Sequence, residues 1–410
     1  MDQTIRPANV AVLLKLEGVE AVDANPSPAL DALPVEADSV TYGTPWTQED
    51  ANEATGSLVA GAPLIIGQVT PISFKSRIKG AGAGAVYSAT VKPPLHQALQ
   101  ACGWRGQFTA AIAAAAATAG SATTLTLPAG FPAVSRAVLG MILLLTAGTG
   151  AGAQPAVIEY TAGRVATLAD TFTPALDATT TVSLPANWTY AQTSPSDAGA
   201  RLTDQPSATI YIYEDGRLMK FPGCRGTFTP DGKSARPGYG TFNLTGIYAG
   251  QVDAPIPANL AIAGHSAPVL VQGAGISPAA SVNRKAATIS TWSVDPGSAI
   301  ENIDDPNTPY GFGAGQIVDR KKMLKIDPLA TLVANRDTIS DIGSGVVMPA
   351  VLRHGSQAGN RWAYVMPAAQ PVMLDNGMRG KLRSDDVTLQ VRSIGKDAVT
   401  RDSDGFLVFY

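Results

Sequence analysis

Residues 207–250, SATIYIYEDGRLMKFPGCRGTFTPDGKSARPGYGTFNLTGIYAG, decide the fold class. Apolar and polar residues alternate on both sides of Asp215-Gly216. An Asp-Gly pair between alternating runs is the strongest short-range hairpin signal, because both central residues of such a turn adopt positive φ. Asp231-Gly232 lies in a second, longer connection and reads as another turn. Alternation at period two gives each strand one buried face. The fold class that follows is mainly β.

The same reading extends upstream. PLIIGQVTPISFKSRIKG (63–80) alternates around Ile72, Phe74, Ser76 and Ile78, which predicts a strand with one buried face. PPLHQALQACGW (93–104) predicts a short helix: Pro93 and Pro94 suit its first turn, Leu95, Leu99 and Cys102 share one face, and Gly103 stops it. ANVAVLLKLEGV (8–19) predicts another strand. Residues 20–62 between them are rich in Pro, Asp and Gly and lack a period. So long an irregular stretch is expected to be an extended interaction arm.

From 107 to 199 the composition changes. AAIAAAAATAGSATT (110–124) is low in complexity and charge and reads as a linker. Short strands follow at 124–127, 137–147, 156–160 and 164–168, and TSPSDAG (193–199) reads as a closing linker. Beyond the hairpins, APIPANLAIAGHSAP (254–268) is a third linker. Strands are then predicted at 287–294, 315–327, 347–354, 361–369, 387–393 and 406–410. A helix is predicted over 328–343, with Leu329, Leu332, Val333 and Ile339 on one face. Strands, helix, strands is also the order of the first half once 107–199 is set aside, so a diverged internal duplication is expected. The expected units are 1–106 (arm 20–62) continued by 200–262, an inserted small all-β module at 107–199, and a second similar domain at 263–410.

Bulk numbers bound the function. The chain has 410 residues, room for two or three domains. Charged residues make up only 15%, below the usual quarter, while Gly 41 and Pro 30 mark many turns. That balance suits β architecture with surface buried between subunits. Net charge −3 argues against gripping phosphates, which needs a basic face, yet a mildly acidic wall lets nucleic acid slide past. The two cysteines, Cys102 and Cys224, read as buried small hydrophobes. No signal peptide is legible and the longest apolar run, Ala137 to Leu145, is too short for a bilayer. A soluble protein made in the cytoplasm, without a membrane partner, is expected.

Catalytic and metal chemistry find little footing. GTGAGA (148–153) and GAGAGA (80–85) lack the Gly-Lys-Ser/Thr end of a phosphate loop and read as glycine turns. His96, His265 and His354 are scattered, without metal-ligand spacing, and are expected at the surface or core edge. Glu301, Asp304 and Asp305 sit in the long loop 295–315, a solvated turn or interface rather than an acid pair, and a calcium site from Asp304, Asp305 and Asn307 lacks the spacing of a known loop. No Gly-x-Ser-x-Gly elbow occurs. DRKKMLK (319–325) is the one basic cluster, with Lys321 and Lys322 on opposite faces, and reads as ion-paired to a neighbouring subunit. Asn187-Trp-Thr and Asn243-Leu-Thr fit the glycosylation pattern by chance. The expectation is no enzyme, no cofactor and no metal.

Four ordered segments carry a resemblance. LLKLEGVEAVDANPSPALDALPV (13–35), with Leu14 to Glu17, Asp23, Pro26, Pro28 and Leu33, looks like the opening strand and Pro-rich arm of siphophage tail tube proteins. ISFKSRIKGAGAG (72–84) resembles that family's Phe-bearing strand with a Lys-Gly end, and PPLHQALQACGW its helix. YEDGRLMKFPGCRGTF (213–228) followed by GTFNLTGIY (240–248) resembles its paired hairpins. The resemblance implies β-sandwich or barrel domains of tail-tube type, each with a short helix, in rings stacked around a DNA channel. The 107–199 insertion departs from the core pattern, resembles small β modules of phage virion proteins, and is placed on the outside. Two tube domains per chain imply a trimer with pseudo-sixfold symmetry, a hexamer being the alternative. Implied partners are further copies, a tape measure protein and a tail terminator, with viral DNA passing unbound by sequence. The place implied is the virion tail, after assembly in the host cytoplasm. The rivals are another virion component, for decoration or in a baseplate, and more distantly a β-rich hydrolase.

Overall fold

A computed structural model describes residues 4–50, 53, 54, 56, 58, 59, 61–260, 269, 270 and 277–410. Strands dominate it, in one 18-stranded sheet system and four smaller sheets, so the fold is mainly β. Two long strands organise the main sheet. Arg217–Lys233 pairs with Ala208–Glu214 over its first half and with Tyr239–Gly246 over its second. Trp362–Arg379 pairs first with Met348–His354, then with Leu382–Val391. Gly223, at φ 69, lies where the first strand changes partner, and a register shift between Pro371 and Met373 lies just past the same change in the second. Strands pass between sheet layers at such irregularities. Each long strand is preceded by a seven-residue helix and a seven-residue strand: Ala198–Asp204 and Ala208–Glu214, then Thr338–Ser344 and Met348–His354.

One core joins the two halves of the chain. Phe74, Leu99, Trp104, Phe228 and Phe242 pack with Trp292, Leu324, Trp362, Tyr364 and Leu407. Phe74 stacks on Phe242 at 5.1 Å, and Trp104 meets Phe228 edge-on at 5.9 Å. Backbone pairing crosses the same boundary. Gly232 faces Trp292, and Asn187–Gln192 lies between Trp104–Thr109 and the buried C-terminal strand Phe406–Phe409. The helix His96–Ala101 forms as the sequence predicts, with Leu95, Leu99 and Cys102 buried and Gly103 at φ 74 ending it.

Several boundaries differ from expectation. Asp231 and Gly232 are not a turn: they continue the 217–233 strand, and the chain reverses at 234–238 through Ala235 at φ 57. Longer pairing to Tyr239 and Thr291–Ser293 overrides the local turn signal. The Ala run is not a linker. Ile112–Ala116 is an edge strand of a three-stranded sheet, its partner Thr181–Leu184 supplying the buried Val182 and Leu184. Only Leu144–Ala147 of the strand expected at 137–147 is extended. The helix expected over 328–343 is confined to Thr338–Ser344, and Leu332, Val333 and Ile339 are all exposed. The 254–268 linker and His265 lie largely outside the described residues.

The inserted module has its own core, built from Leu125, Phe131, Leu143, Val157, Leu168 and Val182 among others. Residues 107–109 and 187–192 belong to the main sheet, so the module is shorter than 107–199. It does not hang on linkers. Leu139, Ile142, Ala156 and Ile158 pack directly on Val351, Ala363, Val365, Phe406 and Val408 of the main sheet. Gly140, at φ 76, makes that approach possible, since a Cβ there would stand 2.2 Å from Phe406 Cγ. Gly140→Val is therefore expected to cost several kcal/mol, from left-handed backbone strain plus overpacking. Gly152→Ala, at φ 87 with open space around it, carries the strain alone, about 1–2 kcal/mol. Thermal melts of the two variants check this ordering.

Candidate assembly surfaces

The expected arm divides in two. Residues 20–43 are docked on the main sheet: Ala32–Leu33 pairs with Val12 and Leu13, and Thr41–Tyr42 with Ile72 and Ser73. Asp31 is buried, accepting from Gln97 Nε2 at 2.9 Å while its carbonyl accepts from Leu14 N–H. Only the following stretch projects. Trp46–Glu49 pairs with Leu64–Gly67 as an isolated two-stranded sheet. Its apolar residues face water, Trp46 at 47%, Leu64 at 62% and Ile65 at 59% exposure. The loop expected at 295–315 is likewise mostly a hairpin, Ser298–Asp304 with Phe312–Arg320. Its tip meets the arm through Tyr310, edge-on to Trp46 at 4.8 Å.

Register fixes where these projections leave the body. Arg77, Tyr239, Asp231, Ser293, Lys325, Thr388 and Met373 form one row across the main sheet, each facing the next. Strand Thr70–Arg77 enters from the other end, about 25 Å away at 3.3 Å per residue, and the arm precedes it. The 298–320 hairpin also leaves at that arm end, between Asp295 and Met323. Beyond the row, at the opposite end, the Trp362–Arg379 and Leu382–Val391 strands run on as a hairpin, edged by Leu329 and Ala330 at Ser384 and Arg383, with Met378 and Leu382 exposed at its tip. The segment 327–337 leaves at the same tip end, carrying exposed Leu332 and Val333. Two clefts of about 670 and 330 Å³ open at the tip end, beside Trp292 and Lys325 and beneath Val333. The chain thus has unlike apolar projections at its two ends.

The side chains singled out for chemistry are not gathered. His96 Nδ1 lies 2.8 Å from Tyr190 Oη, and burial together with Lys92 lowers its pKa to about 4. His354 is not at the core edge as expected but wholly buried, stacked on Trp362 at 3.7 Å, and burial lowers its pKa to about 3. Glu301 and Asp304 are exposed on the flanking hairpin, and Asp305 holds Asn307 N–H and Nδ2 at 2.9 and 2.8 Å, a closed turn. Among the described residues no three His, Cys, Asp or Glu side chains come together. Lys321 and Lys322 do differ in environment, but Lys322 pairs within its own chain, with Asp404 at 3.0 Å, and lies over Trp104. The glycine runs serve close packing: a Cβ at Gly80 would meet Gly359 O, and one at Gly148 would meet Thr179 O. Cys102 and Cys224 are free and buried, which pushes both thiols up. No described helix is long and apolar enough to cross a membrane.

His354 gives a pH prediction. A base whose folded pKa is depressed contributes stability above its unfolded pKa of about 6.5 and loses it as pH falls toward the folded value. Between pH 7 and pH 4 this group alone is expected to remove about 3 kcal/mol, and His354→Phe, which keeps the stack, should flatten the acid side of a Tm-against-pH profile.

Sequence reasoning missed the buried arginines. Arg225 pairs with Glu20 and donates to Gly315 O at 2.9 Å. Arg401 pairs with Asp397 at 2.8 Å, and Arg353 with Asp170 at 2.6 Å. Their partners, apart from Asp397, lie far away in sequence, so no local pattern marks them. No protein-family model matches the chain, and no curated protein matches it significantly.

Proposed function

We propose that this chain is the structural subunit of a phage tail tube, forming rings that stack around a channel through which viral DNA leaves. The observation that carries the reading is the placement of unlike apolar projections at opposite ends of one sheet. A twofold contact joins like to like, whereas unlike ends favour heterologous contacts that close into rings or propagate as filaments. A two-stranded hairpin is marginal alone in water, so the arm gains its burial from another copy. The repeated order of helix, strand, long strand and strand supports two tube units per chain, hence a trimer with pseudo-sixfold symmetry rather than a hexamer. Low charge and net −3 suit subunit burial and a lumen that does not hold DNA. On this reading the chain does no catalysis, its partners are further copies, a tape measure protein and a tail terminator, and its place is the virion tail after assembly in the host cytoplasm.

The test is negative-stain electron microscopy of the purified chain, with symmetry averaging of end-on views. Rings or tubes with a hole wide enough for duplex DNA are expected, with three outer lobes. Closed particles without a channel would sink the tube reading and favour a decoration protein.

A further inference from the structure

The two ends differ in charge as well as in shape. Residues 43–69, which carry the arm, contain Glu49, Asp50 and Glu53 and no Lys or Arg. The tip, 376–384, contains Arg379, Lys381 and Arg383 and no Asp or Glu. Arg379 turns back to the carbonyls of Thr288 and Asp327, at 2.6 and 2.8 Å. Lys381 and Arg383 are exposed and enter no ion pair among the described residues. Each projection also exposes large apolar groups: Trp46, Leu64 and Ile65 on the arm, Met378 and Leu382 on the tip. We propose that the acidic arm hairpin of one copy docks on the basic 376–383 hairpin tip of a second copy, Leu64 and Ile65 against Met378 and Leu382, with Glu49, Asp50 and Glu53 facing Lys381 and Arg383.

Three observations select a second copy as the occupant of the tip. The outermost tip, with Lys381 and Arg383, is cationic beyond the exposed Asp375 and Asp386 at its base and so opposite in charge to the arm, and like charges brought together there repel. They leave opposite ends of one sheet, so the contact repeats from copy to copy without closing on itself within a pair. Both expose large apolar side chains, Leu64 and Ile65 on the arm and Met378 and Leu382 on the tip, and each gains from the other a cover for them. The inference rests on the self-assembly reading and deepens it by naming the segments that meet.

Charge reversal tests it. One variant carries Lys381→Glu and Arg383→Glu, a second carries Glu49→Lys, Asp50→Lys and Glu53→Lys, and a third carries all five. The assembled fraction is read by sedimentation, which counts any polymer whatever its shape, and Tm checks folding. Each of the first two is expected to lower assembly at least about tenfold, and the third to restore it. The pairing is overturned if either reversal alone assembles like the unaltered chain, or if the five-fold variant folds but stays unassembled. A polymer that responds as expected but has no channel leaves the pairing standing and removes the tube. If the unaltered chain sediments as a monomer, Leu64→Cys and Leu382→Cys chains are mixed under oxidation: an intermolecular cross-link supports the pairing and its absence overturns it. Cys102 and Cys224 are buried and give little background.

Discussion

Arg353→Ala is expected to lower stability by about 3–5 kcal/mol and to loosen the inserted module from the main sheet. Arg353 is wholly buried on the 348–354 strand, and its guanidinium reaches Asp170 Oδ2 at 2.6 Å and Pro278 O at 3.0 Å. Asp170 belongs to the module, so this pair bolts the two bodies together beside the apolar seam of Ile142, Ala156, Val351 and Phe406. Burial raises the Asp170 pKa even with Arg353 beside it, so desolvation outweighs the attraction. The pair therefore contributes little net stability, while loss of one partner strands a buried charge. A double-mutant cycle separates these statements. Arg353→Met and Asp170→Leu should each be costly alone and close to neutral together. If the double variant is as unstable as the sum of the singles, the seam rather than the ion pair holds the module.

One-sided burial made the 70–77 strand legible, though not the shorter Thr181–Leu184, which alternates in the same way. Ile72, Phe74, Ser76 and Ile78 alternate because the 70–77 strand and its continuation have one face on the core. The 208–214 strand is buried on both faces, Ile210 and Ile212 in the main core and Tyr211 with Leu13 and Leu218 on the other side, so there the Asp215-Gly216 turn carries the signal more than one-sided burial does. The misreadings share a cause: a local signal overruled by distant partners. Leu329, Leu332 and Val333 have helical spacing, yet Arg336 Nη2 bonds Leu329 O at 2.6 Å and Asp385 Oδ2 at 3.0 Å, fastening the segment to the 382–391 strand as a loop. A helix begins only at Thr338, where Asp337 accepts from Ser340 N–H at 3.0 Å, a cap visible in the sequence as Asp-Thr-Ile-Ser. The Ala run gave no strand signal because alanine carries little apolar area to pattern, and its partner strand lies about 65 residues further on.

The candidate assembly surfaces were half legible. Lack of periodicity marked 20–62 as one extended arm, but 20–43 is docked on the main sheet, because composition does not distinguish chain that is loose from chain that is laid on a sheet. Asp31, Ala32 and Leu33 are buried through hydrogen bonds and pairing made with residues 12–14 and 97. The tip at 376–383 carried no signal of its own, since its strands were expected to stop near 369 and to start near 387. Its exposure is a consequence of two strands outrunning their neighbours, which is set by register and not by composition.

Replacing residues 46–66 by a short Gly-Ser linker is expected to abolish the proposed stacking while shifting Tm by no more than a few degrees. Among the described residues the arm strands pair with each other and not with the main sheet, and Trp46 meets the body at Tyr310, so the core is expected to lose little. Burying a Trp, Leu or Ile side chain that is otherwise exposed stabilises by roughly 1.5–3 kcal/mol, and the arm offers Trp46, Leu64, Ile65 and Ile66 to each contact. In the proposed stacked rings, that loss repeated around each ring is expected to leave separate subunits or rings. The wider deletion of 20–62 is expected to behave differently, because it removes the strand pairings of 32–33 and 41–42 and the buried Asp31, and so unfolds the first half of the sheet. Hydrogen exchange gives an independent reading: arm amides should exchange fast in dilute protein and slow by orders of magnitude in the assembled form. Long tubes from the 46–66 replacement, or arm amides equally fast in both forms, would show that the hairpin is a bystander and that stacking runs through some other surface.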